Sequence, residues 1–234
     1  MRDWREYEIQ CIEKGNFPKQ LKAIKRCPTR LFYRGKWDNK IFEKSLAVVG
    51  SRKMSHYGQE VVAKFVPELA SRGITIISGF MYGIDSEAHW SCLNNGGITV
   101  AVLGGGLNVV TPKENDRLYS EILDKGGLVI SEFEVDFEAT RWSFPQRNRI
   151  VSGLSSLGIL VVEAEEKSGT MITARIGREQ GKNIFAIPGQ INSNTSEGTN
   201  HLIKEGLGRI VTETTDIYAE KDRKITQRML LSNC

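Results

Sequence analysis

The residues best suited to bind a ligand lie in one segment, W-S-F-P-Q-R-N-R-I-V-S-G, at positions 142–153. Pro145 favours a turn, and we expect Arg147, Asn148 and Arg149 at the start of the helix that follows it. Two guanidinium groups, an amide and the unpaired N–H groups of a helix N-terminus together bind phosphates or base edges well. The segment therefore points to an anionic or nucleic-acid ligand.

Two aromatic residues of the same segment, Trp142 and Phe144, offer ring faces on which unpaired bases would stack. Alternatively, both rings belong to the core and the arginines pair with neighbouring carboxylates, and the segment alone leaves both interpretations open. Arg52 and Lys113 follow two other apolar runs and could extend a basic track along a nucleic-acid backbone. Isolated cations of this kind are more often simply solvated.

Motifs for catalysis or nucleotide binding are missing. The first apolar run is followed by G-S-R-K-M-S instead of G-x-G-x-x-G, and the next ends in IISGF without the acidic residue that binds a ribose. Walker A, G-x-S-x-G and H-E-x-x-H motifs do not occur. Glu163 and Glu165 are better suited to holding loops or arginines than to acid/base catalysis. We therefore predict no catalytic residue, no cofactor and no enzymatic activity.

Metal sites and disulfides are not expected either. The four cysteines form no C-x-x-C pair, and the three histidines lie far apart in the sequence. Ordinary reduced cysteines are the more economical interpretation. The residues concerned are Cys11, Cys27, Cys92, Cys234, His56, His89 and His201.

Seven short, β-branched apolar runs bounded by glycine predict strands that are buried on both faces, with room for crossover helices between them. Ser55 and Ser168 are suited to begin two of these helices. The pattern predicts an α/β fold with a doubly wound, mainly parallel sheet and helices on both faces. The runs are 46–50, 74–78, 98–104, 127–131, 157–163, 183–189 and 209–212.

Glycine and small polar residues follow the predicted strands. In open parallel sheets, ligands bind at the carboxyl ends of the strands, where helix N-termini present free N–H groups. Glycine at these positions lets the backbone approach a phosphate closely. Plain turns would explain any one of these positions, but less easily the whole set, which includes Gly50, Ser51, Ser78, Gly79 and Gly189.

The composition fits one main domain with short additions. The 234 residues are 40% hydrophobic and 26% charged, which suits a globular α/β core. No run of 18 apolar residues occurs and the N-terminus is charged, so we expect a cytoplasmic protein without a membrane span or signal peptide. The net charge of +4 permits an anionic partner but decides little. We divide the chain into an N-terminal appendage (1–44) that packs on the sheet, a main domain (45–218) and a tail (219–234).

A series of motifs in this order resembles the DprA/Smf (DNA processing protein A) family over most of residues 46–206. The series reads LAVVGSR, IISGFMYGIDSEAH, TVAVLGGGLNVVTPKEN, GLVISE, FPQRNRIVSGLS, VVEAEEKSGTMITA, FAIPG and SEGTNHLIKEG. FPQRNRIVSGLS and VVEAEEKSGTMITA are the most specific members of the series.

The resemblance implies a Rossmann-like domain that binds and protects single-stranded DNA, forms homodimers and helps to load the recombinase RecA, as in natural transformation. It implies no chemistry on the DNA. The DNA-contacting residues implied are Arg52, Lys113, Asn115, Phe144, Arg147, Asn148 and Arg149. The residues implied at the same rim are Gly50, Gly79, Gly83, Ser168, Gly169, Thr173 and Gly189.

Several positions depart from the family pattern. Tyr82 replaces a basic residue in SGFMYGID, Thr111 stands where a tyrosine is common, and a proline usually found before FPQRNR is missing. Many relatives carry an N-terminal helical domain and a C-terminal winged-helix-like domain, and these 234 residues have room for neither. We expect these changes to affect binding or partner contacts and not the fold.

Two other functions remain open from the sequence. One is a Rossmann-like protein that binds a small nucleotide or hydrolyses nucleoside monophosphates, although the P-G-G run of such enzymes is missing before Thr170. The other is a scaffold that recruits RecA without needing DNA.

Overall fold

The computed structural model describes residues 2–218, so the predicted tail 219–234 and Cys234 lie outside the described residues. The strands are β1 (Gln10–Glu13), β2 (Arg30–Gly35), β3 (Ser45–Val49), β4 (Thr75–Ser78), β5 (Thr99–Val102), β6 (Leu128–Ser131), β7 (Gly158–Val161), β8 (Ile184–Ala186) and β9 (Arg209–Ile210). The helices are α1 (Lys19–Lys22), α2 (His56–Ser71), α3 (Ile84–Asn94), α4 (Asp116–Asp124), α5 (Ser143–Leu154), α6 (Gly169–Glu179) and α7 (Asn194–Lys204).

All the described strands form one sheet in the order β1-β2-β6-β5-β4-β3-β7-β8-β9. The strands from β6 to β9 in this order are parallel, and the seven runs singled out from the sequence supply them. The chain builds outward from β3 to β6, returns through α5, and places β7 beside β3. The predicted doubly wound α/β fold is confirmed, and its topological switch point lies between β3 and β7.

The core has two faces because side chains alternate along each strand. Ala47 and Val49 of β3 point to the face covered by α1, α5 and α6. Leu46 and Val48 point to the opposite face, which α2 and α3 cover, while α4 covers the same side near β5 and β6. Every residue of β3 is buried, which explains why its sequence is a continuous apolar run.

The N-terminal segment extends the sheet instead of only packing on it. β1 and β2 form an antiparallel pair, and β2 pairs antiparallel with β6. Buried Arg34 of β2 fixes this edge, because its guanidinium donates to Tyr7 O at 3.0 Å and Leu107 O at 2.6 Å and lies 4.8 Å from the Trp4 ring. The division at residue 44 stays a prediction.

Local capping places the helices that carry the site. The Ser55 hydroxyl accepts from Gly58 N at 3.1 Å and begins α2, and Ser168 caps α6 by accepting from Met171 N at 3.4 Å. Helix α5 begins at Ser143, earlier than the sequence suggested, so Pro145 lies inside its first turn. Proline is tolerated there because the first N–H groups of a helix have no intrahelical partner.

Candidate nucleic-acid interface

A cleft of about 410 Å³ lies at the carboxyl ends of β3 and β7, at the switch point of the sheet. It is bordered by the loop after β3 and by the N-terminal turns of α5 and α6. The sequence-predicted residues that line it are Gly50, Ser51, Arg52, Gly79, Phe144, Arg147, Asn148, Ser168, Gly169 and Thr173. Residues far apart in the sequence therefore meet at one site, as the strand-end rule predicts.

The loop after β3 is fixed by close packing against α3 and α6. Thr170 Oγ1 donates to Gly50 O at 2.9 Å, and Ile84 N donates to Ser51 O at 3.1 Å. A Cβ on Gly50 would lie 2.5 Å from Ile84 Cγ1, so only glycine fits there without a shift. The fixed loop projects Arg52 into solvent at the mouth of the cleft.

Phe144 is a half-buried ring with two guanidinium groups near it. The Arg52 guanidinium lies 5.2 Å and that of Arg147 6.0 Å from its centroid. Both separations are within the range of cation–π attraction. The ring also packs on Gly104, where a Cβ would lie 2.8 Å from it. An aromatic face beside two cations is suited to an unpaired base and its phosphate.

Arg147 lies at the floor of the cleft with only 4% of its surface exposed. Its guanidinium donates to Gly79 O and Val102 O, and to Asn148 Oδ1 at 3.1 Å. A Cβ on Gly79 would be 2.8 Å from the guanidinium and 2.6 Å from Asp85 Oδ2, so glycine makes room for both charges. Arg147 therefore supports the floor, and direct contact with a ligand is limited by its burial.

Burial and the neighbouring charge shift the pKa values of Arg147 and Asp85 in opposite directions at the floor of the cleft. Burial lowers the pKa of Arg147 to about 10, and Asp85 opposes that change. Burial also raises the pKa of Asp85, while Arg147 and the Met81 N–H oppose the rise. Arg147 thus remains a cation at neutral pH and contributes positive potential beneath the cleft.

Arg149 does not line the cleft. It is 9% exposed and forms an ion pair with Glu132, while its Nε and Nη1 have no hydrogen-bond partner. Residues two apart on a helix point about 200° apart, so Arg147 and Arg149 cannot face the same ligand. This position does not favour the predicted DNA contact by Arg149.

Helix α6 presents its N-terminus to the cleft. Gly169 is exposed, and an added Cβ would meet nothing within 4 Å. The first N–H groups of the helix and its dipole favour an anion there. Thr173 Oγ1 donates back to Gly169 O at 3.2 Å, which occupies this hydroxyl within the helix.

Glu163 holds two loops behind the cleft. It is buried, accepts from Ser55 N at 3.0 Å and from the Ser55 hydroxyl, and accepts from Thr195 Oγ1 at 3.1 Å. The carboxylate therefore ties the start of α2 to the start of α7. Glu165, by contrast, is exposed at the cleft.

Lys113 and Asn115 lie on a short 3-10 helix, Lys113–Asn115, outside the cleft but at the same edge of the sheet. Lys113 is exposed. Asn115 is buried, and its Nδ2 donates to Phe80 O at 2.9 Å and to Ser86 Oγ at 3.0 Å. Asn115 therefore fixes the loop before α3, and its predicted DNA contact stays a prediction that its burial does not favour.

The remaining predicted residues fix the backbone near the carboxyl ends of the strands. Ser78 Oγ donates to Val48 O at 2.7 Å and joins β4 to β3. Gly83 adopts φ = 71° beneath the Ser51 carbonyl, where a side chain would clash. Gly189 packs on Ser196, and the Asn200 amide bonds its N and O, each at 3.1 Å.

Two exposed lysines at the cleft were missed from the sequence. Lys53 follows Arg52 in the loop after β3, and Lys167 precedes the cap of α6. Their adjacency to predicted site residues was the available signal. Together with Arg52 they surround the mouth of the cleft with positive charge, opposed by Glu165.

Within residues 2–218, no group of three His, Cys, Asp or Glu side chains is placed to hold a metal ion. Cys11, Cys27 and Cys92 are free thiols. No helix in the described part of the chain is long and apolar enough to span a membrane.

The family model for DNA recombination-mediator protein A matches residues 8–222. The chain belongs to this family. The resemblance found in the motif series is thereby confirmed. The Smf protein of Escherichia coli is 45% identical over 201 residues, covering 86% of this chain and 53% of that protein. The chain thus spans about half the length of this relative.

Two solved structures share the fold over nearly the whole chain. DNA processing protein A of Streptococcus pneumoniae superposes with a TM-score of 0.83 and 38% identity, covering 93% of this chain and 75% of that one. The Helicobacter pylori protein, which binds single-stranded DNA, gives a TM-score of 0.82 and 28% identity, covering 94% and 98%. The predicted Rossmann-like architecture agrees with both.

Proposed function

We propose that the protein is a recombination mediator that binds single-stranded DNA across the switch-point cleft and performs no chemistry on it. The observation that carries this proposal is the half-buried Phe144 ring, which lies close to the Arg52 and Arg147 guanidinium groups and beside the N-terminus of α6. The single-stranded DNA bound by the H. pylori protein of the same fold supports the choice of ligand.

A single strand fits this arrangement better than a duplex. The faces of unpaired bases are free to stack on an aromatic ring, whereas those of a duplex are covered by their neighbours. Arg52, Lys53 and Lys167 at the mouth, with Lys113 further along the edge, would contact phosphates. Such contacts give strong salt dependence and little sequence preference.

The test is an anisotropy titration of a fluorescent oligothymidylate and of its duplex counterpart at two salt concentrations. We expect the wild type to prefer the single strand. The double variant Arg52→Ala, Lys113→Ala should bind more weakly, and its salt slope should fall by about 1.4 if two phosphate contacts are lost. Equal binding of the two DNAs would contradict the proposed ligand.

The matched control is Lys44→Ala, Arg72→Ala. Both residues are exposed, and they precede β3 and β4, at the opposite edge of the sheet. This variant removes the same charge and should retain at least half of the wild-type affinity. An equal loss in both double variants would show that total charge, and not the cleft, determines binding.

A small nucleotide is the second candidate ligand. The volume of about 410 Å³ lies within the range of small-molecule sites. Competition by nucleoside monophosphates for the oligothymidylate, or release of a free base from them, would favour this function. Two carboxylates line the cleft: Asp85, which is buried and interacts with Arg147, and Glu165, which is exposed. This arrangement supports binding more than hydrolysis.

RecA loading, homodimer formation and a cytoplasmic location complete the proposal. The family model is named for recombination mediation, which supports the first of these three. Capture of RecA by the wild type and by the Arg52→Ala, Lys113→Ala variant separates two possibilities. Capture that requires DNA binding fits a mediator, whereas unchanged capture by the variant fits a scaffold that acts without DNA. Sedimentation of the protein alone tests the homodimer.

A further inference from the structure

Exposed apolar side chains are concentrated at the carboxyl edge of the sheet. Five large ones are exposed among residues 2–218, and four of these follow the carboxyl ends of strands: Tyr57, Tyr82, Trp142 and Ile191. Trp142 has the most exposed of the rings, at 57%.

Trp142 is held rigidly by two phenylalanines. The rings of Phe133 and Phe137 stack with centroids 4.8 Å apart, and Trp142 lies 5.7 Å from each of them. The backbone beneath them is fixed, because Gly106 N donates to Phe137 O at 2.8 Å and Asn108 N donates to Val135 O at 2.8 Å. The indole would therefore lose little conformational freedom on binding a ligand.

This aromatic cluster adjoins the cleft. Trp142 precedes Phe144 by two residues at the start of α5. The glycine turn 104–106 contacts both aromatic groups. Gly104 packs on the Phe144 ring, and a Cβ on Gly105 would lie 3.0 Å from the carbonyl oxygen of Phe137, which supports Trp142. Because residues two apart on a helix point about 200° apart, the two rings leave the start of α5 in different directions and would contact different nucleotides of one DNA strand.

The charges around the cluster are of both signs. Glu132 pairs with Arg149 and Glu134 with Arg30, which reduces the repulsion between this loop and a phosphate. Arg141, next to Trp142, is exposed and supplies a cation. The same loop also carries two exposed carboxylates, Asp136, which accepts from Asn108 Nδ2 at 2.7 Å, and Glu138. Stacking on the indole, more than attraction of phosphates, would therefore hold a base here.

We propose that Trp142, backed by Phe133 and Phe137, is a second base-stacking platform for the single strand bound at the cleft. This inference rests on the proposed function and extends the DNA path beyond Phe144. One unpaired base stacks on the indole, while a different base of the same DNA strand, nearer the cleft, contacts Phe144.

The test combines intrinsic fluorescence with affinity for oligothymidylate. We expect DNA to quench the tryptophan fluorescence of the wild type, and the quench to be lost in Trp142→Phe, which keeps an aromatic face and should bind within about 3-fold of wild type. Trp142→Ala should bind about 5- to 150-fold more weakly. Trp90→Phe, which removes a half-buried indole, controls the fluorescence, and Ile210→Ala controls for removal of an exposed apolar side chain.

The outcomes separate this inference from the proposed function. Wild-type affinity in Trp142→Ala, together with a quench that survives in Trp142→Phe, overturns the platform alone. If Trp142→Ala binds DNA normally but changes the sedimentation of the protein, the surface is a protein interface and the platform is likewise overturned. Failure of the wild type to bind single-stranded DNA overturns both.

Discussion

Replacing Arg147 with methionine tests whether this residue supports the floor of the cleft. The substitution keeps the length of the side chain but removes the cation that donates to Gly79 O and Val102 O and faces Asp85. Removing one partner of a buried, hydrogen-bonded charge costs about 3–5 kcal/mol. We therefore expect Arg147→Met to lower the free energy of unfolding by that amount at pH 7.

The loss should depend on pH in a defined direction. Burial raises the pKa of Asp85 above its usual value, so the folded state binds more protons than the unfolded state over the interval between the two pKa values. Stability contributed by this carboxyl therefore falls as pH rises through that interval. Without Arg147 the folded pKa rises further, so the deficit of Arg147→Met should be smaller at pH 5 than at pH 7.

Urea denaturation at both pH values measures these effects. Asp85→Asn in the Arg147→Met background removes the uncompensated charge and should recover at least about 1 kcal/mol at pH 7. Arg175→Met, at an exposed position of α6, is the matched control and should change stability by less than about 0.5 kcal/mol. A loss below about 1 kcal/mol in Arg147→Met, or no recovery with Asp85→Asn, would refute the supporting role.

Three further changes follow from the same contacts. Gly50→Ala should lower the free energy of unfolding by about 1–3 kcal/mol and weaken DNA binding, because the added Cβ would be 2.5 Å from Ile84. Gly169→Ala, where an added Cβ has open space, should change the free energy of unfolding by less than about 0.5 kcal/mol. Equal effects of the two variants in urea denaturation would contradict the close packing at Gly50. Burial lowers the pKa of His89 to about 3 in the folded state. Below pH 6.5, the ordinary pKa of histidine, only the unfolded state takes up a proton at this residue, so the free energy of unfolding should fall as pH drops from 6.5. The fall by pH 5 should be about 2 kcal/mol, and it should vanish in His89→Gln; the same fall in both proteins counts against a neutral imidazole. Arg34→Met leaves the neutral acceptors Tyr7 O and Leu107 O without their donor, so it should lower the free energy of unfolding by about 1.5–3 kcal/mol and raise the proteolytic sensitivity of residues 2–35. Unchanged cleavage would argue against the attachment of β2 through this side chain.

The parallel half of the sheet was accessible from the sequence because strands buried on both faces must be continuous apolar runs. Every residue of β3 and of β5 is buried, and both appear as such runs. β1 and β2 were missed because most of their residues are partly exposed and give a weaker pattern. Their attachment depends on a buried arginine, Arg34, whose burial only the tertiary structure reveals.

The site was predictable as a set of strand ends but not in the orientation of its side chains. Arg147 and Arg149 are equivalent in composition, yet α5 turns one toward the cleft and the other toward Glu132. The start of α5 is held by two bonds to Thr140, which lies before the segment: Thr140 N donates to Ser143 Oγ at 3.0 Å and Ser143 N donates to Thr140 O at 3.1 Å. Asn115 similarly became a loop anchor through Phe80, a residue far from it in the sequence.

The pairing of β3 with β7 has a consequence for the order of events during synthesis. Leu46 and Gly158 lie opposite each other in these strands. The central pair of the sheet therefore forms only after more than a hundred further residues have been synthesised beyond β3. Contacts this distant in the chain form late, because the intervening segment must first be ordered. A ribosome-bound chain that ends before α6 therefore lacks one wall of the cleft, and the cleft is complete only after most of the domain has been made.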